Sequence, residues 1–420
     1  MGTAEGVGEA SGLPPGYELR GARDDEIAEI TRAAESVFGQ FGAPREYFLA
    51  RYRHYPGATA EHSRIVLYRG RVVAHQRLYR HELALAGAVI PVWALGDVFT
   101  LPAHRRLGLG RALGEDGALY LRRLGCPLLL VRTSTYEFYE ALGFERIGLP
   151  RLTLDVASFP LDALPEGEWV TRSYEEPYDL WPMALVHEQF NEGRSLVRQR
   201  DRHYWANHRI WCGSETSLST VVAENGGRVV AYARVWPAVG SSRAWHAAIH
   251  EFCYLPGEEA AAVSVLRRCL YFAATHGMST LTATLPRDHA AWAAVRGLPG
   301  VREEEDDETM LCLLDLRGLF ERLLDRLSAR LRSAATPLSS PITLRCQGQS
   351  VTLLPEGGYL ALGRGEGRTR AVDLSQKQLL EFCAGLSQPG DALGLEGQVA
   401  RELDAMFPLG SPVYWTSDEV

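Results

Sequence analysis

No apolar run in the sequence approaches the ~20 residues that a bilayer span needs, so no membrane-spanning segment is expected. Met1 to Pro15 is rich in Gly, Ala and Glu and has neither a basic start nor an apolar core. It reads as a short disordered lead-in, not a signal peptide. The seven cysteines are odd in number, scattered, and form no C-x-x-C pair. That excludes a disulfide framework and a cysteine zinc site, and it fits reduced thiols in a cytoplasm. An excess of positive charge is missing too, the net charge being −8. Phosphate backbones need clustered Lys and Arg, so no nucleic-acid partner is expected. The chain also lacks a Walker lysine after a glycine loop, a G-x-G-x-x-G turn and a G-x-S-x-G elbow. These absences leave a globular protein of 420 residues, 46% hydrophobic and 23% charged, with two or three domains.

What is present centres on Val92 to Phe144. An apolar run, Val92 to Thr100, ends at a proline corner, Leu101-Pro102. Arg105-Arg106-Leu107-Gly108-Leu109-Gly110-Arg111 follows and opens a helical segment that lasts to Leu124. A second apolar run, Leu128 to Val131, leads to Tyr139-Glu140-Ala141-Leu142-Gly143-Phe144. The start of a helix leaves backbone N–H groups without partners and carries partial positive charge. Gly108 and Gly110 remove side-chain bulk there, and Arg105, Arg106 and Arg111 add full charges. The arrangement suits a pyrophosphate.

Before this stretch, Asp24-Asp25-Glu26 opens a helix with Ile27, Ile30, Ala34, Val37 and Phe38 at helical spacing. Tyr47, Phe48, Tyr52 and Tyr55 follow; large aromatics usually bury, and some could instead line a substrate pocket. Ile65 to Tyr68, a turn at Arg69-Gly70, and Val72 to Ala84 read as a hairpin. Leu152-Thr153-Leu154 is expected to close the sheet of a first domain, residues 16–160.

The next block repeats the first. Gly227-Arg228-Val229-Val230-Ala231 echoes Gly70-Arg71-Val72-Val73-Ala74, and Leu255-Pro256 echoes Leu101-Pro102. The chemistry is gone from the copy: Gly257-Glu258-Glu259 replaces the arginines, and Trp292 stands where Tyr139 would. Residues 161–312 therefore read as a degenerate second domain that walls a substrate cleft or carries an oligomer interface. Residues 313–420 form a third region. In it Leu319, Leu323, Leu324, Leu327 and Leu331 mark an amphipathic helix, and Ser375 caps another with Gln378 three residues on. A tail with Tyr414 and Trp415 so near its end is expected to pack on something.

Three motifs are set aside. Gly363-Arg364-Gly365-Glu366-Gly367 lies between strand-like runs and reads as a turn. His246 and His250 fall on an expected strand, so their spacing does not make a metal pair, and no metal is expected. Glu303 to Asp307 reads as a solvated loop.

R-x-x-G-x-G after a strand, with the tyrosine turn about thirty residues later, resembles the GNAT acyltransferase signature for acetyl-coenzyme A. The order of an intact copy, a degenerate copy and a C-terminal α/β region resembles the Eis-type (enhanced intracellular survival protein) acetyltransferases. The resemblance implies an α/β (α+β) chain of tandem GNAT folds with a sterol-carrier-protein-like C-terminal domain. It implies acetyl-CoA as co-substrate, a cationic, aminoglycoside-like amine as acceptor, and a cytoplasmic homohexamer. Val98, Phe99 and Thr100 would hold the pantetheine. Arg105, Arg106, Leu107, Gly108, Leu109, Gly110 and Arg111 would hold the pyrophosphate, and Ser134 and Thr135 would touch the coenzyme. Tyr139 would be the general acid and the terminal carboxylate of Val420 the base. This chain ends in valine where such proteins end in an aromatic residue, and Asp418 or Glu419 could add charge for a polycation. Lysine acetylation of a protein or peptide, and non-catalytic acyl-CoA or lipid binding, are the competing readings.

Overall fold

The computed structural model describes residues 12–165, 169–212, 219–239, 245–363 and 370–419. β1 (Tyr17–Gly21) leads to α1 (Ile27–Phe38) and α2 (Arg45–His54), then to β2 (Ser63–Tyr68), β3 (Arg71–Leu85) and β4 (Ala88–Thr100). α3 (Leu109–Arg123), β5 (Leu128–Arg132), α4 (Tyr136–Glu140) and β6 (Glu145–Arg146) follow. The hairpin turns explain themselves: Arg69 and Gly70 take φ values of 51° and 76°, and Ala86 and Gly87 take 49° and 84°. Two consecutive left-handed residues give the turn whose twist matches the flanking strands.

The second part runs β7 (Leu149–Asp155), β8 (Val170–Ser173), α5 (Leu180–Phe190), α6 (Arg202–Cys212), β9 (Thr220–Asn225), β10 (Arg228–Val239) and β11 (Trp245–Tyr254). It continues through α7 (Glu259–Thr275), β12 (Thr280–Thr284), α8 (Ala290–Val295), β13 (Val301–Asp306) and β14 (Thr309–Leu313). The third part holds α9 (Leu316–Ser333), β15 (Ile342–Cys346), β16 (Gln349–Glu356), β17 (Tyr359–Leu362) and β18 (Arg370–Leu374). It ends with α10 (Gln376–Ala384), α11 (Pro389–Leu393) and α12 (Gly397–Met406).

Two sheets dominate, each of seven strands among the described residues, in the orders β1-β2-β3-β4-β5-β14-β6 and β8-β9-β10-β11-β12-β7-β13. The orders correspond position by position, so the duplication read from the sequence is a duplication of fold. They also expose a reciprocal exchange. Leu152-Thr153-Leu154 does not close the first sheet: it lies on β7, between β12 and β13 of the second. The matching place in the first sheet is taken by β14, between β5 and β6. A short apolar strand announces burial on both faces but not which sheet buries it. The partner is fixed here by side chains: Leu152 and Leu154 pack in the second core, Met310 and Cys312 beside Tyr139 in the first.

The acidic run at 303–307 is corrected as well. Glu303 to Asp306 lie on the edge strand β13, and Asp306 is fully buried. Buried carboxylates need partners, and Arg132 supplies one at 3.1 Å. His246 and His250 do lie on a strand, β11. Arg364 to Gly367 of the expected turn fall outside the described residues. A third, four-stranded sheet, β17-β16-β15-β18, shares one core with α9 and the outer half of the β3–β4 hairpin. Among the described residues no helix is long and apolar enough to cross a membrane.

Candidate active site

β4 and β5 run side by side only from Val92–Leu128 to Leu95–Val131. Beyond Leu95, β4 continues to Thr100 with no such partner, and the two strands part. The cause is a bulge. The β3–β4 register slips between His75 and Arg77, and Asp97 takes φ 51°. A non-glycine residue in that conformation costs about 1–3 kcal/mol unless its surroundings impose it. Here they do. His75 Nδ1 donates to the Asp97 carbonyl at 2.8 Å, and burial pushes the His75 imidazole down to about 4, so it stays neutral. Arg51 Nη1 meets Asp97 Oδ1 at 2.9 Å, and the Tyr79 hydroxyl donates to Oδ2. Arg51, His75, Tyr79 and Asp97 were not singled out from the sequence. The signal was present: Asp97 is the only charge between Val92 and Thr100. Of the expected pantetheine strand, Phe99 turns into the core with α1 and α2, while Val98 and Thr100 are half-buried along the gap.

The arginine-glycine turn leaves the end of this gap. Arg105, Arg106, Leu107, Gly108 and Arg111 are exposed, Leu109 is buried as an anchor, and Gly110 is half-buried. Arg106 and Gly108 take left-handed φ values of 64° and 77°. Gly108 caps α3 without any side-chain hydrogen bond, and the first bond of the helix is Ala112 N–H to the Gly108 carbonyl at 3.0 Å. The N–H groups of Leu109, Gly110 and Arg111 therefore precede the ladder, the arrangement an anion site uses. Gly110 has a second duty. A β-carbon there would sit 3.2 Å from the Phe138 ring, and one on Gly114 would sit 2.7 Å from Leu142. The glycines let α3 lie directly on α4.

That contact places Tyr139. Its ring lies in an apolar cluster with Phe138 at 4.9 Å and Phe144 at 5.6 Å. Burial pushes its phenol up to about 12, so it is a protonated donor at any ordinary pH. Ser134 and Thr135 are exposed on the link from β5 to α4. In the copy, carboxylates stand at the equivalent helix start where the first lobe has arginines. Glu258 caps α7 in sequence and accepts from Trp169 at 3.2 Å and Asn225 at 3.1 Å. Trp292 is buried, its indole donating to the Leu285 carbonyl.

The tail completes the other side. Val413 and Trp415 enter the second core and Tyr414, between them, enters the core shared by the third sheet, α9 and the β3–β4 hairpin. Asp418 is fully buried against Arg200, 2.9 Å away, and also accepts from Tyr204. Burial would raise its carboxyl, but Arg200 and Arg198 outweigh that and hold it below the usual range. Asp418 is thus an anchor, not a free charge for a substrate, which corrects one expectation. Arg200 also binds Glu251, which accepts in turn from Ser417 and Tyr232. Glu419 emerges from this latch at the parting of the strands, 3.3 Å from Arg132 at the end of β5. Val420 lies outside the described residues. Between the Asp97 bulge and Glu419 opens a cavity of about 310 Å³, whose walls include Tyr47 and Phe48 of α2, Trp236 of β10 and His250 of β11. Tyr52 and Tyr55 serve the interior instead, Tyr52 stacked under the Arg77 guanidinium and Tyr55 meeting Tyr79 edge to face. Among the described residues no cluster of His, Cys, Asp and Glu could hold a metal.

Residues 18–147 match the family model of the acetyltransferase (GNAT) domain. No curated protein matches the chain in sequence. A GCN5-related N-acetyltransferase from Anabaena variabilis shares its fold with TM-score 0.67 at 15% identity, over 94% of this chain and 98% of that one. A GCN5-related N-acetyltransferase from Kribbella flavida does so with TM-score 0.62 at 17% identity, over 94% and 98%. Eis1 from Mycobacterium abscessus gives 0.59 at 16% identity, over 96% and 100%. Residues 18–147 therefore form a GNAT acetyltransferase domain, and the whole chain is similar in fold to GCN5-related N-acetyltransferases of about its own length.

Proposed function

We propose that the chain transfers acetyl from acetyl-CoA directly to the amine of a cationic small molecule. One observation carries this reading. The parting of β4 and β5 has an open, arginine-rich helix start at one end and a tail carboxylate, Glu419, at the other. The donor side fits the co-substrate. The N–H groups of Leu109 to Arg111 and the guanidinium groups of Arg105, Arg106 and Arg111 hold the pyrophosphate. Val98 and Thr100 line the pantetheine, and Ser134 and Thr135 flank it.

The reaction is an acyl transfer in two proton-coupled steps. The acceptor enters as an ammonium and loses a proton to a tail carboxylate. Its nitrogen lone pair then forms a C–N bond to the thioester carbon, with the oxyanion on a backbone N–H of the splayed strand. The oxyanion then re-forms the carbonyl, the C–S bond breaks with sulfur keeping the electron pair, Tyr139 gives sulfur a proton, and the extra proton on the new amide nitrogen leaves through solvent as Tyr139 takes one back. Two carboxylates compete for the base role: the side chain of Glu419 and the terminal group of Val420. Glu419→Gln and one glycine appended after Val420 separate them, each read against acetyl-CoA binding. A cavity built from α1, α2, the second lobe and the tail favours a small amine over a folded protein's lysine. The test is thiol release over aminoglycosides, polyamines, simple amines and lysine peptides, with Tyr139→Phe as control. Amine-dependent release supports the reading, and release with none of them overturns it.

A further inference from the structure

The cavity beside the strand gap is lined by Phe38, Phe41, Tyr47, Phe48, Trp236 and His250, six rings contributed by four elements and one connecting turn. Its volume, about 310 Å³, lies at the small end of the roughly 300–1,000 Å³ typical of ligand sites. Trp236 and His250 stack at 3.7 Å with planes 6° apart, and Thr416 Oγ1 lies 2.8 Å from His250 Nδ1, which fixes that wall. Phe41, on the turn after α1, is 70% exposed. A large ring left in water at the rim of an aromatic cavity is available to a ligand.

The charges are few and mostly spent. Asp97 gives one carboxylate oxygen to Arg51 and the other to Tyr79. Arg51 is also held by the Tyr47 hydroxyl and lies over the Tyr47 ring. Asp418 is closed off by Arg200 and Tyr204. Glu419 is different. Its side chain is 46% exposed, and its one ion-pair partner, Arg132, is shared with Asp306 and Glu308. Three carboxylates around one guanidinium leave negative charge at one point of the cavity and nowhere else along its walls. A ligand that fits this pattern carries one cation at one end and an aromatic or apolar body at the other. A polycation rich in hydroxyl groups would bring further ammonium groups to walls that hold no second carboxylate free to pair with them.

Resting on the transferase reading above, we infer that the acceptor is an arylalkyl monoamine: a primary ammonium on a short chain attached to an aromatic ring. The ammonium lies at Glu419, next to the strand gap, and the ring lies between Phe41 and the Trp236–His250 stack.

The test is steady-state thiol release by the full chain with phenethylamine and tryptamine, against spermidine, an aminoglycoside and a lysine peptide. The expected kcat/KM is at least about tenfold higher for the arylalkyl amines. Phe41→Ala, which removes an exposed ring, raises their KM about tenfold and leaves the KM for acetyl-CoA unchanged. Faster turnover of spermidine or the aminoglycoside overturns the inference while leaving the transferase reading intact. So does an unchanged amine KM in Phe41→Ala. Acetyl-CoA binding without release for any amine overturns the transferase reading, and this inference with it.

Discussion

Tyr139 lies in the turn after β5 and Glu419 in the C-terminal tail, and both groups are shifted upward. The phenol is pushed up to about 12 by its apolar cluster. A group that keeps its proton throughout the working range contributes no limb to a pH profile there. Tyr139→Phe is expected to lower kcat by about 10²–10⁴-fold, with the KM for acetyl-CoA held. Thiol release under saturating donor measures it. Glu419, although its side chain is 46% exposed, is raised above the usual carboxylate value by desolvation at the protein surface around it, with Glu308 and Asp306 adding to the rise and Arg132 and Arg51 opposing it. A base acts in its deprotonated form, so a raised value means activity is lost as pH falls through a point above the ordinary carboxylate range. If Glu419 is the base, kcat against pH shows an acid limb there, and Glu419→Gln abolishes the limb along with most of the rate. A limb unaltered by the substitution assigns the base elsewhere. Tyr139 was legible because its turn has a spacing. Glu419 was not: its role depends on Arg200, Tyr204 and Glu251, which are remote in sequence and meet only when the tail folds back.

At the scale of elements, α3 carries two messages in one set of glycines. Gly108 serves conformation, and a β-carbon there meets nothing. Gly110 and Gly114 serve contact with α4. Gly114→Val therefore drives a side chain into Leu142 and is expected to cost about 1–3 kcal/mol, seen as a lower melting temperature. Gly108→Val instead strains a left-handed residue by about 1–2 kcal/mol and should raise the KM for acetyl-CoA. The first helix, the hairpin at Arg69-Gly70, the glycine turn and the capped helix at Ser375 could all be read from local pattern. Ser375 and Gln378 do form the reciprocal cap. The elements missed from pattern, α5 and α6, explain why. α5 is apolar nearly all round, so no stripe marks it, and α6 interleaves arginines and histidines with buried Tyr204, Trp205 and Trp211. Its charged residues point to partners far away in sequence, which no local period reveals. The acidic strand β13 misled for the same reason, since Arg132 lies about 170 residues before Asp306.

For the whole molecule, the exchanged strands decide what can be cut. Residues 16–160 alone would lack β14, leaving β5 with one unpaired edge although Leu128 to Val131 are buried. They would also carry β7, whose apolar face belongs to the second core. An exposed apolar edge of this kind aggregates. Residues 16–160 expressed alone are expected in the insoluble fraction, whereas the same segment with β14 supplied on a short linker in place of β7 should be soluble and bind acetyl-CoA. Circular dichroism melting distinguishes the two. The tail adds a third tie, since consecutive residues Val413, Tyr414 and Trp415 enter two cores.

The exchange also sets a timetable for synthesis. About 150 residues separate β7 from β14, and at roughly 5–20 residues per second a ribosome needs about 8–30 s to make them. Throughout that interval the nascent first sheet has its arginine-glycine turn complete and its β5 edge open. Binding of acetyl-CoA cannot close that edge, so the growing chain depends on its own second half, or on a holding chaperone, to stay out of aggregates until Leu313 has emerged.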